Sequence, residues 1–243
     1  MKKFFMFLAV IGFLTVSAQY ATAQFSDLTT QDGGPVHQQL KAKFIEGGAG
    51  FMTTILLCLV FGLALAIEKI IYLNLATTNT NKFLKNVEDA LASGGIEKAK
   101  DICRNTRGPV ASIFYEGLLH WDEGVDMVEK SVTSYGSVQM SQLEKGLSWI
   151  QLFISISPML GFLGTVIGMI AAFDSIQAMG DISPNVVAGG IKVALITTVG
   201  GLVVAIILQF FYNYIVGKID SIVLSMEDAS ISLIDTLVKF QKK

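Results

Sequence analysis

Charge is scarce in this chain, and so are the residue types from which active sites are usually built. Asp, Glu, Lys and Arg make up 16% of the sequence against 52% apolar residues, a balance that suits a membrane protein. No stripe of Lys and Arg gives the basic face that a nucleic-acid partner needs to displace phosphate counterions, so no nucleic acid is expected as a partner. The only cysteines are Cys58, in an apolar run, and Cys103, in a charged one, which implies no disulfide framework. His37 and His120 lie far apart, and Cys103 has no ligand spacing beside His120 that suggests zinc, so neither metal nor cofactor is expected. The apolar runs hold no paired nucleophile and base, and no phosphate-binding glycine loop follows a strand. An enzyme is therefore not the expected class.

What the chain does have is long apolar runs. Residues 47–67 carry no charge, nor do residues 146–173, and residues 186–216 carry one, Lys192. Each is long enough to span a bilayer, and backbone groups in lipid must be bonded internally, so all three are expected to be helices. The shorter apolar stretch Phe4 to Val16 follows Lys2 and Lys3 and precedes Ala21-Thr22-Ala23, the three parts of an export signal. Cleavage after Ala23 is the expectation, with an uncleaved anchor as the alternative.

The expected order is a signal over 1–23, a periplasmic segment with an amphipathic helix over 24–46, and a first transmembrane helix over 47–75. A cytoplasmic helical region follows over 76–145, then a second transmembrane helix over 146–173, a periplasmic loop over 174–185 and a third transmembrane helix over 186–216. A cytoplasmic C-terminal helix fills 217–243. Nearly all Lys and Arg after the signal fall in the segment from Lys69 to Lys145 and in the tail from Lys218, which the positive-inside rule places in the cytoplasm.

Val36, Leu40 and Phe44, four apart, give the short helix before the first span its apolar stripe. Gly94-Gly95 is expected to stop a helix carrying Phe83, Val87 and Leu91 on one face, and Pro109 to start another. From Asp122 no proline interrupts the chain until Pro158, which predicts one helix running into the second span over roughly 75 Å at 1.5 Å per residue. Ile219, Ile222, Val223 and Met226 share a face of the tail. One chain offers such projecting helices few partners, which favours an oligomer.

In the second span Pro158, Gly161, Thr165, Gly168 and Ala172 fall three and four apart, forming a stripe of small residues. The third span repeats the device with Ala194, Thr198, Gly201 and Ala205. Close helix packing explains such stripes. Each also carries one hydroxyl at mid-membrane depth, Thr165 and Thr198, able to face either a neighbouring carbonyl or a water-filled path. Lys192 and Thr197 are candidate pore or partner contacts. Lys192 either reaches the interface and pairs with Asp174 or Asp181, or pairs with a partner and lowers a nearby carboxylate pKa.

The stretch PMLGFLGTVIGMIAAF, followed after a short loop by GGIKVALITTVGGLVVAIILQFFYNYIVGKID, resembles the core of the MotA/TolQ/ExbB proton-channel family. Both spans, their order and the Tyr212-Asn213 pair agree, over about a third of the chain. The three-span layout resembles the ExbB and TolQ branch, and the exported N-terminal extension looks most like ExbB. The resemblance implies an all-α membrane protein with long cytoplasmic helical extensions, assembled as an oligomeric ring. In it a homopentamer surrounds a dimer of a single-span ExbD-like partner, and proton flow energises a TonB-like protein. It places the family's pore threonines on Thr165 and Thr198. The family's usual glutamate near the start of the third span falls at Val193, beside Lys192, so that glutamate's role does not carry over. The second and third spans hold no carboxylate or histidine between their ends, so the titratable group for proton transfer is expected from the partner. A TolQ-like or gliding-type motor subunit and a non-conducting scaffold are the alternatives.

Overall fold

Apolar runs with no internal charge have one way to satisfy their backbone in lipid, and each becomes a long helix. The computed structural model describes residues 36–77, 79–179 and 184–241, and the expected signal segment and Asp181 lie outside them. Helix α1 is Val36–Glu46, α2 Ala49–Ala76, α3 Thr80–Asn105, α4 Pro109–Leu119, α5 Val125–Glu144, α6 Leu147–Met179 and α7 Pro184–Gln241, with a 3-10 turn at Trp121–Glu123. Three helical stretches, carried by α2, α6 and α7, are long and apolar enough to cross a membrane. No strand occurs among the described residues. The chain is an all-α, multi-pass membrane protein. Of the expected stripe on α1, the side chains of Val36 and Leu40 lie outside the described residues.

Local chemistry sets the helix ends. The Asn79 side chain accepts from the Lys82 N–H at 3.2 Å and starts α3, while the Thr77 hydroxyl closes α2 on the Leu73 carbonyl at 2.8 Å. Gly95, at φ 70°, kinks α3 where the paired glycines lead one to expect a stop, and Pro109 sits in the first turn of α4.

Two expectations are corrected. The helix predicted to run unbroken from Asp122 into the second span is interrupted at Lys145 and Gly146, between α5 and α6. The cause is not a proline but Gly146 at φ 90°, a left-handed conformation open to glycine. The break frees the last carbonyls of α5, and Lys69 Nζ donates to one of them, Leu143 O, at 3.2 Å. The unbroken helix is instead α7, whose 58 residues reach roughly 87 Å at 1.5 Å per residue.

The second correction concerns the tail. Ile219, Ile222, Met226, Leu233 and Leu237 of α7 are buried within the same chain, in one core with Phe83 and Val87 of α3, Phe114 and Leu118 of α4, and Val128 and Val132 of α5. The Phe83 and Phe114 rings meet at 5.3 Å, tilted by 46°, and Trp121 meets Phe240 edge-on at 6.0 Å. The face of the tail carrying Ile219, Ile222 and Met226 is thus covered by its own subunit, whereas Leu224 and Ile231 on the same tail stand exposed. Most of the bare apolar side chains lie in the spans, where Phe61, Phe162, Val199 and Phe210 stand more than half exposed. Exposed apolar side chains there are what lipid or neighbouring spans require.

Candidate functional site between the second and third spans

Glycine lets α6 and α7 approach until backbone meets backbone. A Cβ at Gly161 would stand 3.0 Å from Thr197 O, at Gly164 2.6 Å from Thr197 Oγ1, and at Gly168 3.3 Å from the Ala194 Cβ. From the other side a Cβ at Gly190 would stand 2.5 Å from the Ala172 Cβ, and one at Gly201 would collide with the Ser157 carbonyl. Ser157 and Thr197 are buried in this seam.

The seam is also where the hydroxyls lie. Thr198 Oγ1 donates to Gly161 O at 3.2 Å, across the two helices. Thr197 Oγ1 donates within α7 to Ala194 O at 2.7 Å and lies 3.5 Å from Gly161 O. Thr165 Oγ1 donates to Phe162 O at 2.6 Å, and the residue is half-buried. Thr165 and Thr198 are thus bound to the carbonyls of consecutive residues, which places them at one level of the helix pair. Thr197 is sealed inside it. Each donated proton leaves the hydroxyl oxygen its acceptor lone pairs, so the outer edge of the seam presents oxygen acceptors in an apolar setting.

Of the expected small-residue stripes, Gly161, Gly168, Ala172, Ala194 and Gly201 are in the seam, whereas Pro158, Thr165 and Ala205 are only half-buried at its edge. Gly164 and Thr197 occupy its centre. The spacing rule misses Gly164 because a helix face accepts both three- and four-residue steps, and Gly164 and Thr165 each fit between Gly161 and Gly168.

Lys192 bonds elsewhere. Its Nζ lies 3.1 Å from Glu46 Oε2 at the end of α1, and Lys43 Nζ reaches the same oxygen at 3.1 Å. The Lys192 ammonium, and after it that of Lys43, holds the Glu46 carboxyl below the usual carboxylate range. Glu46, rather than Asp174, is therefore its partner among the described residues. By 3.6 residues per turn, Lys192 points roughly a third of a turn away from Thr198. No group of three or more His, Cys, Asp or Glu able to hold a metal occurs among the described residues.

Three apolar membrane-crossing helices, two of them joined by a glycine seam with hydroxyls at its edge, define a multi-pass helical membrane protein. Residues 105–228 match the model of the MotA/TolQ/ExbB proton channel family, and the chain belongs to that family. It is similar to an ExbB homolog of Methanothermobacter thermautotrophicus, 36% identical over 162 residues, covering 66% of this chain and 57% of that protein. It is also similar to a biopolymer transport protein of Synechocystis named ExbB-like 3, 33% identical over 157 residues, covering 62% of this chain and 72% of that protein. A biopolymer transport protein of Vibrio cholerae, exbB1, is 46% identical over 69 residues, covering 28% of this chain and 30% of that protein. The alignment to the archaeal relative thus spans little more than half of that relative's length.

Proposed function

We propose that the chain is the ExbB-like, channel-forming subunit of a bacterial inner-membrane motor driven by the proton motive force. In this reading the signal over residues 1–23 is removed, the mature N-terminus is periplasmic, and the α3–α5 lobe and the end of α7 are cytoplasmic. Several copies, five by analogy with the family, close a ring around an ExbD-like single-span partner. The edges bearing Thr165 and Thr198 face inward, and movement passes to a TonB-like protein that energises outer-membrane uptake.

The observation that carries the reading is the pairing of Thr165 and Thr198 on consecutive carbonyls, at one depth, in two spans that hold no acid or histidine between their ends. A proton crossing needs a titratable group at depth, and the partner helix supplies it as an aspartate. The threonines suit both of its states. Donating to backbone, they accept from the protonated acid; turned outward, they donate to the carboxylate. Exchanging these states gives up two hydrogen bonds to backbone, about 1–3 kcal/mol together and comparable with the roughly 2.3 kcal/mol per 100 mV that each proton delivers, in return for charge-assisted bonds to the carboxylate.

The test is proton flux into vesicles holding this chain and its co-expressed partner. Replacing both threonines, Thr165→Val with Thr198→Val, keeps shape and removes the hydroxyls, and flux is expected to fall at least tenfold with assembly intact. Undiminished flux would refute the proposed pathway. The glycine seam itself favours a second reading, a packing scaffold, which predicts no flux with or without the partner.

A further inference from the structure

One row of α7, stepping by four residues, meets the start of the described chain. Lys192 holds Glu46 at 3.1 Å. One turn on, a Cβ at Gly47 would stand 2.8 Å from Ile196 Cγ2, and one turn further a Cβ at Gly200 would stand 3.2 Å from Met52 Cε. Val204 then joins Ile55 in a buried cluster, and a Cβ at Gly62 would stand 2.6 Å from Leu208 Cδ1. Each four-residue step turns by about 40°, so Lys192, Ile196, Gly200, Val204 and Leu208 form one inclined row that winds along α7 and receives the end of α1 and then α2. This edge is distinct from the seam, which uses Gly190, Ala194, Thr197 and Gly201.

We propose that Lys192 is a positioning residue whose ion pair with Glu46 pins the end of α1 to the third span, fixing that span's height and rotation and hence the placement of Thr197 and Thr198 one to two turns along. An isolated exposed pair does little in water, but this one caps an apolar row that already holds the two elements together, so it sets the register of a contact rather than supplying its energy. The trio of Lys43, Glu46 and Lys192 makes the effect asymmetric. Removing the Lys192 charge leaves Lys43 paired with Glu46 inside α1, whereas removing the Glu46 charge leaves two ammonium groups facing each other. The proposal needs only helix geometry and does not rest on proton conduction.

The test is a spin-label distance between Ile45→Cys and Leu195→Cys, both at exposed positions, in the full chain with Cys58→Ala and Cys103→Ala. The labelled chain is diluted with unlabelled chain in phospholipid vesicles. A single narrow distribution is expected. Lys192→Met should at least double its width and Glu46→Gln should widen it more, while Lys192→Arg and the exchange Glu46→Lys with Lys192→Glu should restore it. Circular dichroism checks that each variant is folded, so that widening reports position. Unchanged width in both single variants, or an exchange as broad as they are, would overturn the proposal. Proton flux on the same set, recovering with the exchange, would tie the pin to Thr197 and Thr198. Flux insensitive to all of them would sever that link.

Discussion

The hydroxyl of Thr198 donates to the carbonyl oxygen of Gly161 at 3.2 Å, joining the third span to the second through a residue with no side chain. The bond exists because glycine exposes its carbonyl and admits the threonine together. Any side chain at residue 161 would press on the Thr197 carbonyl and on the Thr198 Cα.

The seam therefore predicts a contrast between glycines. Gly164→Ala puts a methyl group 2.6 Å from Thr197 Oγ1 and should destabilise by about 1–3 kcal/mol, the usual cost of overpacking. Gly217→Ala has nothing within 4 Å and should stabilise α7 by about 0.5–1 kcal/mol through helix propensity. Thermal unfolding in detergent measures both, and equal shifts would deny that the seam is tight.

Thr197 and Thr198 should separate stability from function. Thr197→Val removes a buried bond of 2.7 Å to Ala194 O and should cost about 1 kcal/mol of stability. Thr198→Val loses the longer, part-buried bond to Gly161 O, should cost less stability than Thr197→Val, and should reduce proton flux. Flux lost equally in two equally stable variants would contradict this division.

The break at Gly146 should resist substitution. At φ 90° an alanine is strained by roughly 1–2 kcal/mol. Gly146→Ala is expected either to lower the unfolding temperature or to straighten the α5–α6 junction, and crosslinking between Lys69 and Glu144 distinguishes these outcomes. Lys69→Met should weaken the junction too, by removing the donor to Leu143 O.

His120 supplies a pH signature. Its Nδ1 lies 2.9 Å from Glu123, and Glu116 stands 3.7 Å from Nε2, so the Glu123 carboxylate first, then Glu116, raises the imidazole pKa. A raised folded pKa means that this contribution to stability is complete below the unfolded value and disappears as pH rises through the folded one. An NMR titration of His120 should move downward with Glu123→Gln; no movement would remove the pair.

Cys103 should be inert while the protein is folded. Burial in the α3–α4 core pushes its thiol up to about 12, so almost no thiolate exists near neutral pH. Alkylation at Cys103, followed by mass spectrometry, should accelerate many-fold on unfolding in urea.

The fold was largely legible because charge is so scarce: three runs without charged interruption leave few choices for the backbone. Pro109 and the glycines at 94 and 95 also read correctly, since their effects are local. The break at Gly146 did not, because a lone glycine among helix-compatible neighbours takes its conformation from what surrounds it, here Lys69. The candidate hydroxyls were legible as a stripe, but spacing alone could not decide between Gly164 and Thr165 for the seam. Glu46 was out of reach: it lies 146 positions before Lys192, and no periodicity links residues on separate helices.

Helix α7 carries Thr198 near one end and Leu237 in the core of the lobe near the other, with no break between them. A stiff shaft of this kind transmits torque: a few degrees of turning where the hydroxyls sit reappear at the far end as sideways travel of whatever is packed against it. In the proposed motor, ligands or crosslinks that jam the lobe should therefore stall proton flux without touching the threonines.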